Sequence, residues 1–156
     1  NLKPSKILIG KDGLIRISDF FASEIMSLEI SSSSPFEKND GKFIAPEILN
    51  DEKYDEKADV YSFGVLMFFI LSGGKFPDIS ISQIAGGIKT KIPTELTEFS
   101  KSLIFKCWDF DAKQRPSFEI ICEELEKNIH EIVKLTDTEI KSAHSFIQNL
   151  KKKIPS

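Results

Sequence analysis

The sequence predicts a mainly α domain built round one central buried helix, with a single small β-hairpin. Val60 to Leu71 is apolar on nearly every face, with only Ser62 and Gly64 as small gaps, and a helix apolar all round is a buried one. Near the start, Ile7-Leu8-Ile9 and Leu14-Ile15-Arg16-Ile17 flank Gly10-Lys11-Asp12-Gly13, a turn with two glycines available for positive φ. Beyond residue 97, apolar residues recur at helical spacing in three further segments.

Each element has its own local reason. Pro4 makes residues 1 to 6 a loop before the hairpin. Residues 19 to 47 hold no long periodic segment, and Ser31 to Ser34 followed by Pro35 is the most loop-like stretch of the chain. Pro46 suits a first helical position, so Pro46 to Asn50 reads as a short helix. Asp55 is placed to cap the central helix, and Gly73-Gly74 with Pro77 stops it. Its apolar run falls short of the ~18 to 20 residues a membrane helix needs. Ser80 to Ile88 reads as a short helix loosened by Gly86-Gly87. Thr97 to Trp108 has an apolar face of Phe99, Leu103, Ile104 and Cys107, and Ser117 to Val133 repeats it with Ile121, Leu125, Ile129 and Ile132. Thr136-Asp137-Thr138-Glu139 is a capping-box signature. It opens a last helix with Ile140, Ala143, Ile147, Leu150 and Ile154 in a heptad-like stripe. That stripe reads as an extra helix on the domain ahead of a coiled coil, and oligomerisation through it is the alternative.

Composition narrows the function. With 156 residues, 40% hydrophobic and 13 Phe, the core is sizeable. A net charge of −3 argues against a nucleic-acid binder, which is usually strongly basic. Cys107 and Cys122, the two cysteines, both sit in apolar helical patterns. That points to buried free thiols in a reducing compartment ahead of a disulfide, and the expected setting is intracellular and cytoplasmic. His130 and His144 lie on charged helical stretches and read as solvated, and no Cys/His cluster has metal spacing. No signal peptide is visible, and the first residue is not Met, so the chain is expected to start within a longer protein.

Five segments carry a joint signal: Leu2-Lys3-Pro4-Ser5, Ser18-Asp19-Phe20, Ala45-Pro46-Glu47, Asp59-Val60-Tyr61-Ser62-Phe63-Gly64, and Cys107-Trp108 through Arg115-Pro116-Ser117-Phe118. In this order the chain resembles the C-terminal lobe of a eukaryotic protein kinase, from the catalytic loop to the last helix. The wording of the last two segments resembles the tyrosine-kinase-like group, and the Lys3-Pro4 pair resembles the serine/threonine type. The resemblance covers residues 1–130, and residues 131–156 form a helical extension without a match. It implies ATP-dependent phosphorylation of protein serine or threonine, with ATP and Mg²⁺ as cofactors of the full-length protein and a protein substrate or signalling partner. By resemblance Asp19 matches the Mg²⁺-holding Asp of the D-F-G motif, and a carboxylate suits that hard ion. Lys3 matches the lysine that steadies the γ-phosphate. Glu47 matches the buried partner of an arginine, here Arg115, and Asp59 matches the aspartate that anchors the catalytic loop. Residues 20–46 match the activation segment, with Ser31, Ser32, Ser33 and Ser34 as candidate phosphorylation sites set against a plain flexible loop.

The departures from the pattern fall on the chemistry. Asn1 stands where the catalytic Asp belongs, and an amide cannot act as the base. Lys6 stands where an Asn should ligate Mg²⁺. Phe21 replaces the Gly of D-F-G, and Asn39-Asp40 replaces a Gly-Thr pair before Ala45-Pro46-Glu47. No Gly-x-Gly-x-x-Gly loop and no Val-Ala-Ile-Lys strand occurs; in the family these belong to an N-terminal lobe, so the resemblance implies that this chain alone should have half a nucleotide site. The expectation is a pseudokinase, with an active but divergent kinase and a non-catalytic interaction scaffold as alternatives.

Overall fold

The computed structural model describes residues 2–18, 37–132 and 136–152. Strands β1 (Ile7–Ile9) and β2 (Ile15–Ile17) form an antiparallel hairpin. Helices follow as α1 (Glu37–Asp40), α2 (Pro46–Leu49), α3 (Lys57–Leu71), α4 (Ile81–Ala85), α5 (Glu98–Cys107), α6 (Phe118–Lys127), α7 (Ile129–Ile132) and α8 (Asp137–Lys151). Single 3₁₀ turns occupy Pro4–Lys6, Gly41–Phe43 and Ala112–Gln114.

The central helix is α3. Val60, Val65 and Phe68 are all but sealed from water, and the helix separates two apolar clusters. On one side Tyr61, Val65 and Leu66 meet Phe43, Ala45 and Ile84. On the other Val60, Met67 and Phe68 meet Leu103, Ile104, Cys107 and Ile121. Trp108 packs against both. The helix begins three residues before the apolar run: the Asp55 carboxylate accepts from the Lys57 N–H at 2.9 Å, and the Asp55 carbonyl accepts from Ala58 N–H. It ends where Gly73 and Gly74 take φ of +72° and +85°, which lets the Gly74 N–H reach back to the Phe69 carbonyl. Gly64 is required for a different reason. A Cβ there would lie 2.7 Å from Cys107 Cβ and 2.8 Å from Trp108 Cδ1, so only glycine lets α5 come this close.

The hairpin pairs Ile7 with Ile17 and Ile9 with Ile15. Leu14 falls in the turn rather than the strand, because Gly10 N–H bonds the Leu14 carbonyl and the Asp12 carboxylate takes the Leu14 N–H. Arg16 donates to both oxygens of Asp12 and holds its carboxyl well below the usual carboxylate range. Leu8, Ile9, Ile15 and Ile17 all remain exposed.

Three expectations change. The helix expected over Ser117 to Val133 breaks at Asn128, whose side-chain amide donates to the Glu124 carbonyl at 2.8 Å and diverts the chain. The freed segment α7 then docks on α5: the Thr97 hydroxyl donates to the Glu131 carbonyl and Ser100 Oγ to Ile132 O. These are end-of-helix carbonyls that need an outside donor. Residues 37–43, read as loop, form α1 and a 3₁₀ turn, because Phe43 is buried beneath α3. Cys107 is buried as expected, but Cys122 is exposed, since Ile121 takes the inward position of α6. Both cysteines are free. His130 and His144 are exposed. The Thr136–Glu139 capping box opens α8, with the Glu139 carboxylate on the Thr136 N–H. Ile140, Ala143 and Ile147 are half-buried; Ile154 lies outside the described residues.

Phe68→Ala is expected to cost about 3 to 5 kcal/mol in urea unfolding, and Gly64→Ala about 1 to 3 kcal/mol through overpacking. Burial pushes the Cys107 thiol up to about 12 from an ordinary 9.0. The folded state therefore keeps a proton that the unfolded state loses, and stability falls as pH rises through that interval. In the native protein iodoacetamide should label Cys122 alone, and both thiols after denaturation.

Candidate functional site

The site is assembled by three local devices. The first is the turn Pro4–Lys6, entered from an extended Lys3 and closed by a bond from Lys6 N–H to Lys3 O at 2.9 Å. The second is the hairpin, whose register brings residue 18 opposite residue 6: Ser18 N–H donates to the Lys6 carbonyl at 2.9 Å. The residues at either end of this hairpin are thereby held side by side, although they lie twelve apart in the chain. The third is the segment from Asp40 to Glu47, anchored on α3. Ser62 Oγ donates to the Phe43 carbonyl at 2.7 Å. Phe43, Ala45, Pro46 and Glu47 are all buried.

Glu47 and Arg115 meet as a bidentate pair, with Nη1 on Oε1 at 2.7 Å and Nη2 on Oε2 at 2.8 Å. Arg115 is 2% exposed and Glu47 7%, so both charges would be costly without each other. The remaining guanidinium donors are also used. Nε–H reaches Asp109 O at 2.8 Å, Nη1 reaches Lys57 O at 2.9 Å, and Nη2 reaches Phe110 O at 3.4 Å. Lys57 returns the contact, its ammonium donating to the Arg115 carbonyl at 2.9 Å. The Tyr61 ring lies 5.3 Å from the guanidinium carbon, and burial pushes the Tyr61 phenol well above its ordinary range.

Lys3 is not free. Its ammonium is paired with the Asp40 carboxylate across 37 residues of sequence. The two side chains are 16% and 29% exposed, so the contact sits at the rim of the site. Asp59 lies on the first turn of α3 and is exposed, and Lys6 is half-buried. Asn1, Asp19 and Ser31 to Ser34 lie outside the described residues.

Sequence reasoning paired Glu47 with Arg115 only through the family resemblance. It missed Asp40 as the partner of Lys3, because no local pattern links residues so far apart. It read Ser62 as a small gap, although a hydroxyl inside an apolar helix is itself a signal of a buried acceptor nearby. Lys57 and Tyr61, which complete the arginine's surroundings, also went unread.

Comparison with known proteins bears on this arrangement. The family model described as protein tyrosine and serine/threonine kinase matches residues 1–125. The dual specificity protein kinase shkE of Dictyostelium discoideum is 34% identical over 148 residues, covering 90% of this chain and 20% of that protein. The tyrosine-protein kinase Fer of Homo sapiens is 30% identical over 131 residues, covering 80% of this chain and 16% of that protein. The protein-tyrosine kinase 6 of Mus musculus is 33% identical over 135 residues, covering 80% and 29%. The chain therefore spans less than a third of the length of each of these relatives.

Replacing Arg115 with Met should leave the Glu47 carboxylate buried and alone, at about 3 to 5 kcal/mol in urea unfolding. Arg115→Lys should recover little of this, because an ammonium cannot reach both carboxylate oxygens and the carbonyls around them.

Proposed function

The chain belongs to the protein tyrosine and serine/threonine kinase family, and we propose that it is the C-terminal lobe of a kinase domain that keeps its scaffold while its catalysis is lost or badly weakened. One observation carries this reading. The buried Glu47–Arg115 pair is complete, with every guanidinium N–H partnered, whereas the position matching the catalytic base is Asn1. Fold selection has no use for the base, so its loss beside an intact scaffold points to a fold retained for something other than phosphoryl transfer.

Members of this family transfer phosphate from ATP with Mg²⁺. The residues here fit such a ligand in part. Lys3 already holds an oxyanion in the form of the Asp40 carboxylate, so its ammonium suits a phosphate oxygen. In this reading Asp19 holds Mg²⁺, Lys6 stands at the second metal position and contributes charge instead, and Asp59 steadies the loop that bears Lys3. Ser31 to Ser34 are the candidate modification sites of the activation segment. Bound ATP supplies the phosphoryl group, and what this chain lacks is a group to orient the acceptor hydroxyl.

Serine/threonine specificity rests on Leu2-Lys3-Pro4-Ser5; the relatives' names speak of tyrosine and dual-specificity kinases. The exposed Leu8, Ile9, Ile15 and Ile17 form an apolar surface of the kind that another part of a longer protein covers. In the proposed architecture an N-terminal lobe does so, residues 1–130 form the lobe described here, and residues 131–156 add an extension. Two free thiols fit an intracellular setting. Among the described residues no helix is long and apolar enough to cross a membrane. The proposed partners are proteins.

The test is a phosphorylation assay of the full-length gene product with Mg²⁺ and ATP on serine, threonine and tyrosine peptides. No transfer is expected, and Asn1→Asp combined with Lys6→Asn should raise it above background. Mg²⁺-dependent transfer by the unaltered protein that Asp19→Ala abolishes would overturn the reading.

A further inference from the structure

The Lys3–Asp40 pair has no evident structural task. It is only partly buried, so it is less of a folding requirement than a fully buried pair. The scaffold is already held by Glu47–Arg115 and by Ser62 on Phe43. Yet both partners are well positioned. Lys3 is extended at φ −154° and is followed directly by Pro4 in the 3₁₀ turn. Asp40 ends α1 and leads into the turn Gly41–Phe43, whose Phe43 is 4% exposed against α3. An anchored carboxylate is thus aimed at an anchored ammonium.

We propose that Asp40 is a built-in anion that occupies Lys3 and so weakens the binding of a nucleoside triphosphate by this domain. The proposal rests on the reading of Lys3 as the phosphate-steadying lysine. A lysine ammonium has three N–H donors and could touch a phosphate oxygen while keeping Asp40. The incoming phosphate would then sit beside a carboxylate, and like charges brought to contact range repel. By the resemblance the family has a threonine at this position, and an uncharged hydroxyl would bring no such repulsion. Asp40 therefore acts as a specificity determinant: it converts a phosphate-binding lysine into one already neutralised within the fold.

The experiment is a calorimetric titration of the full-length protein with ATP, with and without Mg²⁺. It compares the wild type with Asp40→Asn, Asp40→Thr, Lys3→Met and the Lys3→Met/Asp40→Asn double variant. Both Asp40 variants should bind ATP about tenfold more tightly or better, the size expected from releasing one charge-assisted contact. In the Lys3→Met background Asp40→Asn should change nothing. Unchanged or weaker binding by both Asp40 variants would overturn the proposal, as would no binding by any variant. An equal gain without Lys3 would reduce the effect to general charge and also overturn it. Loss of the fold in both Asp40 variants, read by thermal unfolding without nucleotide, would show a structural pair and refute the inference. Phosphoryl transfer by the wild type would refute the loss of catalysis while leaving these affinity ratios to be judged separately.

Discussion

The structure depends on one interaction, the buried contact of Glu47 with Arg115. A charged pair removed from water is stable only when its geometry is good and its other donors are used, and that demand organises three segments at once. Glu47 belongs to α2, Lys57 opens α3, and Asp109 and Phe110 precede the arginine in the loop before α6. The guanidinium can satisfy its five N–H groups only when all three are in place. The pair therefore does more than join two residues: it sets where the segment Asp40–Glu47 meets the central helix. Ser62 then fixes the other end of that segment through the Phe43 carbonyl.

Two ion pairs in this chain share the same chemistry and differ in their surroundings. Arg115 and Glu47 have side chains 0% and 8% exposed, whereas Lys3 and Asp40 are at 16% and 29%. Breaking the first by removing one partner costs about 3 to 5 kcal/mol; the second is only partly buried, so water can take over part of either partner's role. The buried pair is thus a condition of folding and the rim pair is not. This difference permits the site to vary while the scaffold holds. Asp40, for one, sets the charge beside Lys3 without belonging to the apolar clusters on either side of α3.

The hairpin shows the same division. Its register is what holds Ser18 beside Lys6, so it matters to the site, yet its apolar side chains stay largely in water. A surface of that kind is stable in a longer protein when something covers it.

The sequence by itself determined the central helix, the hairpin and the family. An apolar run with capping and stop signals specified α3, a Gly-bearing turn between two apolar runs specified the hairpin, although Gly13 alone of its two glycines takes positive φ, and Thr136 with Glu139 specified the start of α8. These features are local, because they depend on backbone preferences and on the period of apolar residues. Motif spacing was enough to point to the protein kinase family. The tertiary structure alone decided which side chains meet over long range: Lys3 with Asp40, Ser62 with the Phe43 carbonyl, and Lys57 with the backbone at Arg115. It also decided the break at Asn128 and the exposure of Cys122. A contact between residues 37 or 58 apart leaves no periodic trace in the chain. It exists only because the burial of α3 brings those segments together and desolvation then selects the partners that satisfy each polar group.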